Sequence, residues 1–195
     1  MAYPIKVEDM TPLRKDAARN WDRIITVARE LVDEGTPLQL NDVARRAGLG
    51  VGTVYRHFPT TEALLETVAT PCLEALANHG TEALRDDDAW RAFADFLTRL
   101  VEAQVSDPSL AKVAATAHDV LPRTTELKQQ IITQGTELLA RARHAGAVRP
   151  DLADGDLVPL MCGVAYATYV HSDTPADRLP TARRYLDTLL RGLSS

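Results

Sequence analysis

The chain is 195 residues long, 45% hydrophobic and 25% charged, a balance that excludes a disordered or fibrous protein. Its formal net charge of −5 argues against a general attraction to polyanions, yet the charge is uneven: residues 1–60 carry 9 Lys/Arg against 8 Asp/Glu, net +1, and residues 61–195 carry 13 against 19, net −6. Cys72 and Cys162 stand ninety positions apart, which excludes CxxC redox and zinc-ribbon patterns and makes a reducing compartment the expectation.

Apolar residues recur at helical spacing and nowhere sustain period-two alternation, so the sequence predicts an all-α fold of about nine helices. Trp21, Ile24, Ile25, Ala28, Leu31 and Val32 stripe a first helix that stops at Gly35, a residue suited to the left-handed C′ position. After the Thr36-Pro37 break, a short helix over 41–47 leads through Gly48 into another over 51–58, which Pro59 ends. Leu64, Leu65, Val68, Cys72 and Leu76 stripe the next helix, where Pro71 removes one backbone hydrogen bond and predicts a kink rather than a break. Asp86-Asp87-Asp88 precedes Trp90, Phe93, Leu97, Leu100 and Val101; a cap on that helix and a metal site are the two readings, and adjacent carboxylates diverge in a way that favours the cap.

Asp107-Pro108 opens a helix in the N-cap, N1 arrangement. Leu127, Ile131, Leu138 and Ala142 mark a longer one closed by Gly146, and two more follow, over about 154–171 and 177–193. The start Met1-Ala-Tyr-Pro lacks the basic and apolar regions of a signal peptide. The longest uncharged apolar stretch, 157–172, contains Pro159 and is shorter than the ~20 residues of a membrane span. A cytoplasmic protein without a membrane partner is expected.

The stretch 40–58 carries the most information. Two helices of about two turns can cross steeply only where residues are small, and Ala44, Ala47 and Gly48 meet that requirement, which predicts a helix-turn-helix. Val43, Leu49, Val54 and Phe58 then face Ile24, Ala28 and Leu31, leaving Val51, Gly52, Thr53, Tyr55, Arg56 and His57 outside. Hydroxyls, His and Arg reach phosphate oxygens, and Arg also reads guanine in the major groove. A plain helical hairpin is the competing reading.

Three segments, Leu40-x-Asp-Val-Ala-Arg-x-Ala-Gly-Leu49, Gly52-Thr-Val-Tyr-Arg-His-Phe-Pro59 and Glu62-Ala-Leu-Leu65, resemble the N-terminal domain of the tetracycline-repressor (TetR) family of bacterial transcription regulators, over about residues 14–80 by motif. The resemblance implies a DNA-binding domain over 1–60, with an N-terminal arm over 1–15, and an effector-binding and dimerisation domain over 61–195. It implies a homodimer whose recognition helices, residues 51–58, enter successive major grooves of a partly palindromic double-stranded operator, ~34–36 Å apart or somewhat more. On that resemblance Thr53, Tyr55 and His57 contact phosphate, Arg56 phosphate or base, and Gln39 and Asn41 reach DNA from the start of the preceding helix. Arg14, Lys15 and Arg19 either reach DNA or form a solvated basic end.

Two positions depart from the family pattern. A lysine common after the Phe-Pro-Ser equivalent is absent at Thr60-Thr61, and Gly50-Val51 replaces the usual polar or basic pair, so base readout leans on Arg56 and on Val51 against a thymine methyl.

The resemblance places the dimer seam in the last two helices. Leu179, Ala182, Tyr185, Leu186, Leu189, Leu190 and Leu193 face a neighbour bearing Leu157, Leu160, Met161, Val164 and Ala165, and burial within one subunit is the alternative. An effector pocket is expected among Trp90, Phe93, Phe96, Val113, His118, Met161, Cys162, Tyr166 and Tyr169; the effector itself is unknown. No HExxH, Glu-x-x-His, Gly-x-Ser-x-Gly or Walker-type loop occurs, so no catalytic residue, cofactor or metal ligand is expected. The sequence reads as a ligand-responsive DNA-binding regulator, most simply a repressor released by a small molecule, with a protein-binding helical adaptor and a small helical enzyme as alternatives.

Overall fold

A computed structural model describes residues 12–172 and 174–194, with side chains from Asp16 onward. The N-terminal arm over 1–11, and the side chains of Arg14 and Lys15, lie outside the described residues. Among those described are nine α-helices: α1 (Pro12–Asp33), α2 (Leu40–Ala47), α3 (Val51–His57), α4 (Thr61–Ala83), α5 (Ala89–Ser106), α6 (Pro108–Ala114), α7 (Pro122–His144), α8 (Leu157–His171) and α9 (Pro175–Leu193). The helix expected from residue 154 begins instead as a 3₁₀ turn, Asp154–Asp156, where the Asp156 carboxylate accepts the Ala153 N–H at 2.8 Å. α4 runs on through Pro71.

Local chemistry sets the helix ends. Gly48 sits at φ +62°, its N–H donating to the Arg45 carbonyl at 3.3 Å while Leu49 N–H donates to the Ala44 carbonyl at 2.9 Å, the Schellman pair that satisfies the last carbonyls of α2. Asp88 caps α5 by accepting the Arg91 N–H at 2.9 Å, and Asp107 caps α6 by accepting those of Ser109 and Leu110. The Arg91 guanidinium, followed by the Asp88 N–H, holds the Asp86 carboxyl below the usual carboxylate range. The acidic triplet thus serves α5 as a cap and ion pair.

The chain divides into two compact units, residues 1–68 and 69–195. In the first, Ile24, Ala28 and Leu31 of α1, Leu40, Val43 and Ala44 of α2, Val54 and Phe58 around α3, and Leu64 and Val68 of α4 form one buried cluster, with Leu49 packed half-buried against it. The first two turns of α4, assigned from sequence to the C-terminal part, therefore pack with the N-terminal core. Trp21, read as part of the core stripe, is 41% exposed and lies against the Phe58 ring at 6.3 Å.

In the second unit α5 packs against α6, α7, α8 and α9, burying Phe93, Phe96, Leu97 and Val101. The Phe96 ring lies close to Gly80 of α4 and Gly135 of α7. Buried Gln134 donates to the Ala77 carbonyl at 2.9 Å and to the Thr81 hydroxyl at 3.0 Å. No helix among the described residues is long and apolar enough to cross a membrane, and no group of three His, Cys, Asp or Glu among them could hold a metal ion.

Candidate nucleic-acid interface and ligand cavity

Helix α3 buries Val54 and rests on Phe58 immediately after its end. Both are fixed because the Gly48 turn lets α2 and α3 cross at the buried small residues Ala44 and Ala47. The outer face holds Val51 and Tyr55, 46% and 47% exposed, one turn apart, with Gly52 and Arg56 exposed and Thr53 and His57 half-buried beside them. Arg56 lies along its own helix, donating from Nε to the Gly52 carbonyl at 3.1 Å and from Nη2 to the Thr53 hydroxyl at 3.4 Å. Gln39, at the N-cap of α2, makes no side-chain cap bond, and Gln39 and Asn41 are both exposed. Thr60, where the family pattern departs, caps α4 by accepting the Ala63 N–H at 3.1 Å.

Charge on this unit is largely cancelled internally. Arg45 pairs with Asp42 at 2.7 Å, Arg46 with Glu34 at 2.8 Å, and Arg19 with Asp16 at 3.5 Å, while Arg29 donates to the Val68 carbonyl. Among the described residues no carboxylate pairs with Arg56 or Arg23. Arg23, exposed on α1, reaches across to the helix-turn-helix: its Nη2 lies 3.3 Å from where a Cβ on Gly48 would stand. Sequence reasoning missed it because only the fold brings residue 23 beside residue 48.

In the second unit a cavity of about 320 Å³ lies among α4, α5, α6, α7 and α8. Leu73, Leu76, Leu100, Leu110, Ile131 and Met161 supply apolar wall. Asp119, Thr125 and Lys128 gather at one part of it, with Lys128 Nζ donating to Asp119 at 2.5 Å and to the Val113 carbonyl at 2.8 Å. Cys162 also lines it, and burial pushes its thiol up.

The family description "Bacterial regulatory proteins, tetR family" matches residues 24–68, and "Transcriptional regulator SbtR-like, C-terminal domain" matches residues 88–195, more than half of the chain. The chain belongs to the TetR family. An HTH-type transcriptional regulator of Staphylococcus aureus is 35% identical over 77 residues, a match covering 38% of this chain and 41% of that protein, so this chain spans about two fifths of that relative's length. The crystal structure of a TetR transcription regulatory protein from Mycobacterium vanbaalenii is similar with a TM-score of 0.53 at 29% identity, covering 94% of this chain and 100% of that one. FadR from Bacillus subtilis, solved in complex with stearoyl-CoA, shares the fold with a TM-score of 0.65 at 18% identity, over 89% of this chain and 99% of that one.

Of the residues read from this TetR sequence as an effector pocket, Met161 and Cys162 line the cavity, as does Asp119 beside the predicted His118. The other seven do not line it. Phe93 is fully buried in the core with Trp90 against it at 6.3 Å. His118 is exposed, and Tyr166 is 72% exposed beside a second apolar groove, which Cys162 also lines. The periodicity of a TetR helix tells which side is apolar; whether that side meets a neighbour or a void depends on helices distant in sequence. Lys128 left one readable trace, a cation between Leu127 and Ile131 on the buried stripe of α7.

Proposed function

We propose that the protein is a cytoplasmic, ligand-responsive DNA-binding transcription regulator that works as a homodimer, most simply as a repressor released by a small molecule. The observation that carries this reading is the outer face of α3. On a helix of two turns it leaves Val51 and Tyr55 open to solvent beside an uncompensated Arg56, in a unit whose other arginines are mostly paired or hydrogen-bonded within it. Residues 1–60 take the DNA, with Gln39, Asn41, Val51, Gly52, Thr53, Tyr55, Arg56 and His57 as the contacting set, and residues 61–195 take the effector and the second subunit.

The N-terminal end of a recognition helix enters the major groove, so the turn before it lies at the groove edge, within reach of phosphate. Arg23, beside Gly48, adds a phosphate contact there. α4 contributes Leu64 and Val68 to the N-terminal core and Leu73 and Leu76 to the cavity wall, which makes it the element an effector can bias. An effector releases DNA only if it binds the DNA-incompetent dimer more tightly.

An electrophoretic shift with the DNA upstream of the protein's own gene tests the reading, and absence of a shift at low salt would sink it. Arg56→Ala is expected to weaken operator binding by about 1–3 kcal/mol and Tyr55→Phe by less, with the dimer intact in light scattering. Arg23→Ala should lower affinity alike across sequences and reduce the salt slope by about 1. Arg46→Ala should change the slope less, because Glu34 already neutralises Arg46.

A further inference from the structure

We infer that the cavity of the second unit takes a small uncharged molecule with an apolar body and a single hydroxyl, a phenol or alcohol, bound with that hydroxyl on the Lys128–Asp119 pair. The inference rests on the reading of this cavity as the effector site.

Asp119 and Lys128 are the two charged side chains that line the cavity, and they are shielded, with side chains 10% and 21% exposed. At 2.5 Å their charges cancel, so the site as a whole is neutral. An anionic ligand must either add net charge to a mostly apolar space or draw Lys128 away and leave the Asp119 carboxylate unpaired. A cation does the reverse to Lys128. Both outcomes strand a charge out of water, which is the costly state for a buried pair.

A hydroxyl avoids that conflict. Lys128 has three ammonium donors, and the Asp119 and Val113 oxygens take two. Asp119 accepts from Lys128 on Oδ1 and from the Thr125 hydroxyl at 3.3 Å on Oδ2, leaving lone pairs open. One O–H group can accept the third lysine proton and donate to the carboxylate while the pair stays intact. The volume of about 320 Å³ lies at the low end of ligand sites, and leucine, isoleucine and methionine walls suit an aromatic or alkyl body.

Thermal unfolding of the full chain with 4-propylphenol, 4-propylbenzoate and 4-propylbenzylamine tests this. The phenol is expected to raise Tm by about 5–10 °C at a concentration about a hundredfold above its Kd, with both charged analogues binding at least about tenfold more weakly. Asp119→Asn should shift the preference to the benzoate and Lys128→Met to the benzylamine, gains that a merely damaged fold would not produce. Ile132→Trp, at the exposed rim of the cavity, should abolish the phenol's effect. Equal or tighter binding of either charged analogue to the wild-type chain overturns the inference and leaves the cavity reading standing. Phenol binding untouched by Ile132→Trp places the phenol elsewhere and overturns the inference too. If no probe binds the wild-type chain or either charge variant, the cavity reading itself fails, and the inference with it.

Discussion

With Tyr166→Glu and Val170→Glu introduced together, the protein is expected to run as a monomer in light scattering and to lose operator affinity by about 10²–10⁴-fold. α8 carries no charged residue from Leu157 to Val170, and a helix that is apolar all round is stable only when buried all round. Its own subunit covers one side, where Leu157, Met161, Ala165 and Thr168 are buried. The other side stands open: Val158 is 47% exposed, Tyr166 72% and Val170 70%. Beside it Pro159, Gly163 and Ala167 of α8 and Leu189 of α9 line an apolar groove whose small residues let a second helix approach closely. In the homodimer proposed above, a second copy of the same face would supply the complementary cover, since a two-fold interface is self-complementary. The two glutamates bury charge without a partner at that seam, yet are harmless in a monomer, where both positions face water. Two half-sites held in one dimer bind with an effective concentration that separate monomers lack, which is the origin of the large loss. A variant that remains dimeric would place the seam elsewhere.

Gly80→Ala is expected to destabilise the C-terminal unit by about 1–3 kcal/mol in urea unfolding, although the same change on an exposed helix gains about 1 kcal/mol. The sign follows from what a Cβ would meet: Gln134 Oε1 at 2.2 Å, Gln134 Cδ at 2.6 Å and Phe96 Cε2 at 3.1 Å. Gln134 cannot swing aside freely, because it is buried and its amide nitrogen is held by the Ala77 carbonyl and the Thr81 hydroxyl. Phe96 cannot retreat either, since its ring also lies against Gly135 on α7. Gln134→Ala should cost less in the Gly80→Ala background than in the wild type, a coupling that a double-mutant cycle measures directly. A stabilised Gly80→Ala protein would show that α4 and α7 do not approach this closely.

Helix ends were legible because their causes are local. Gly48 and Gly146 end helices at positive φ, and Asp107-Pro108 starts one, from signals contained in a few consecutive residues. The helix-turn-helix was legible for a related reason: its buried residues Val43, Ala44, Val54 and Phe58 and its exposed Val51, Tyr55 and Arg56 follow from helical spacing around a single glycine turn. Charge was only half legible. The Arg45–Asp42 pair is one helical turn long and readable, whereas the Arg46–Glu34 pair crosses from α2 to the residue just past the end of α1 and cancels a cation that local spacing leaves unpaired.

The all-α class, the order of the helices, the helix-turn-helix and the family are written in short stretches of the chain, because periodicity, caps and a contiguous motif are short-range properties. Long-range packing makes Phe93 core while Leu100 lines a cavity, and turns neighbouring Asp119 inward to Lys128 while His118 faces solvent. It alone brought Arg23 beside Gly48. Side chains one residue apart on an element point in different directions, and which direction meets a void, a partner charge or water is set by elements dozens of residues away.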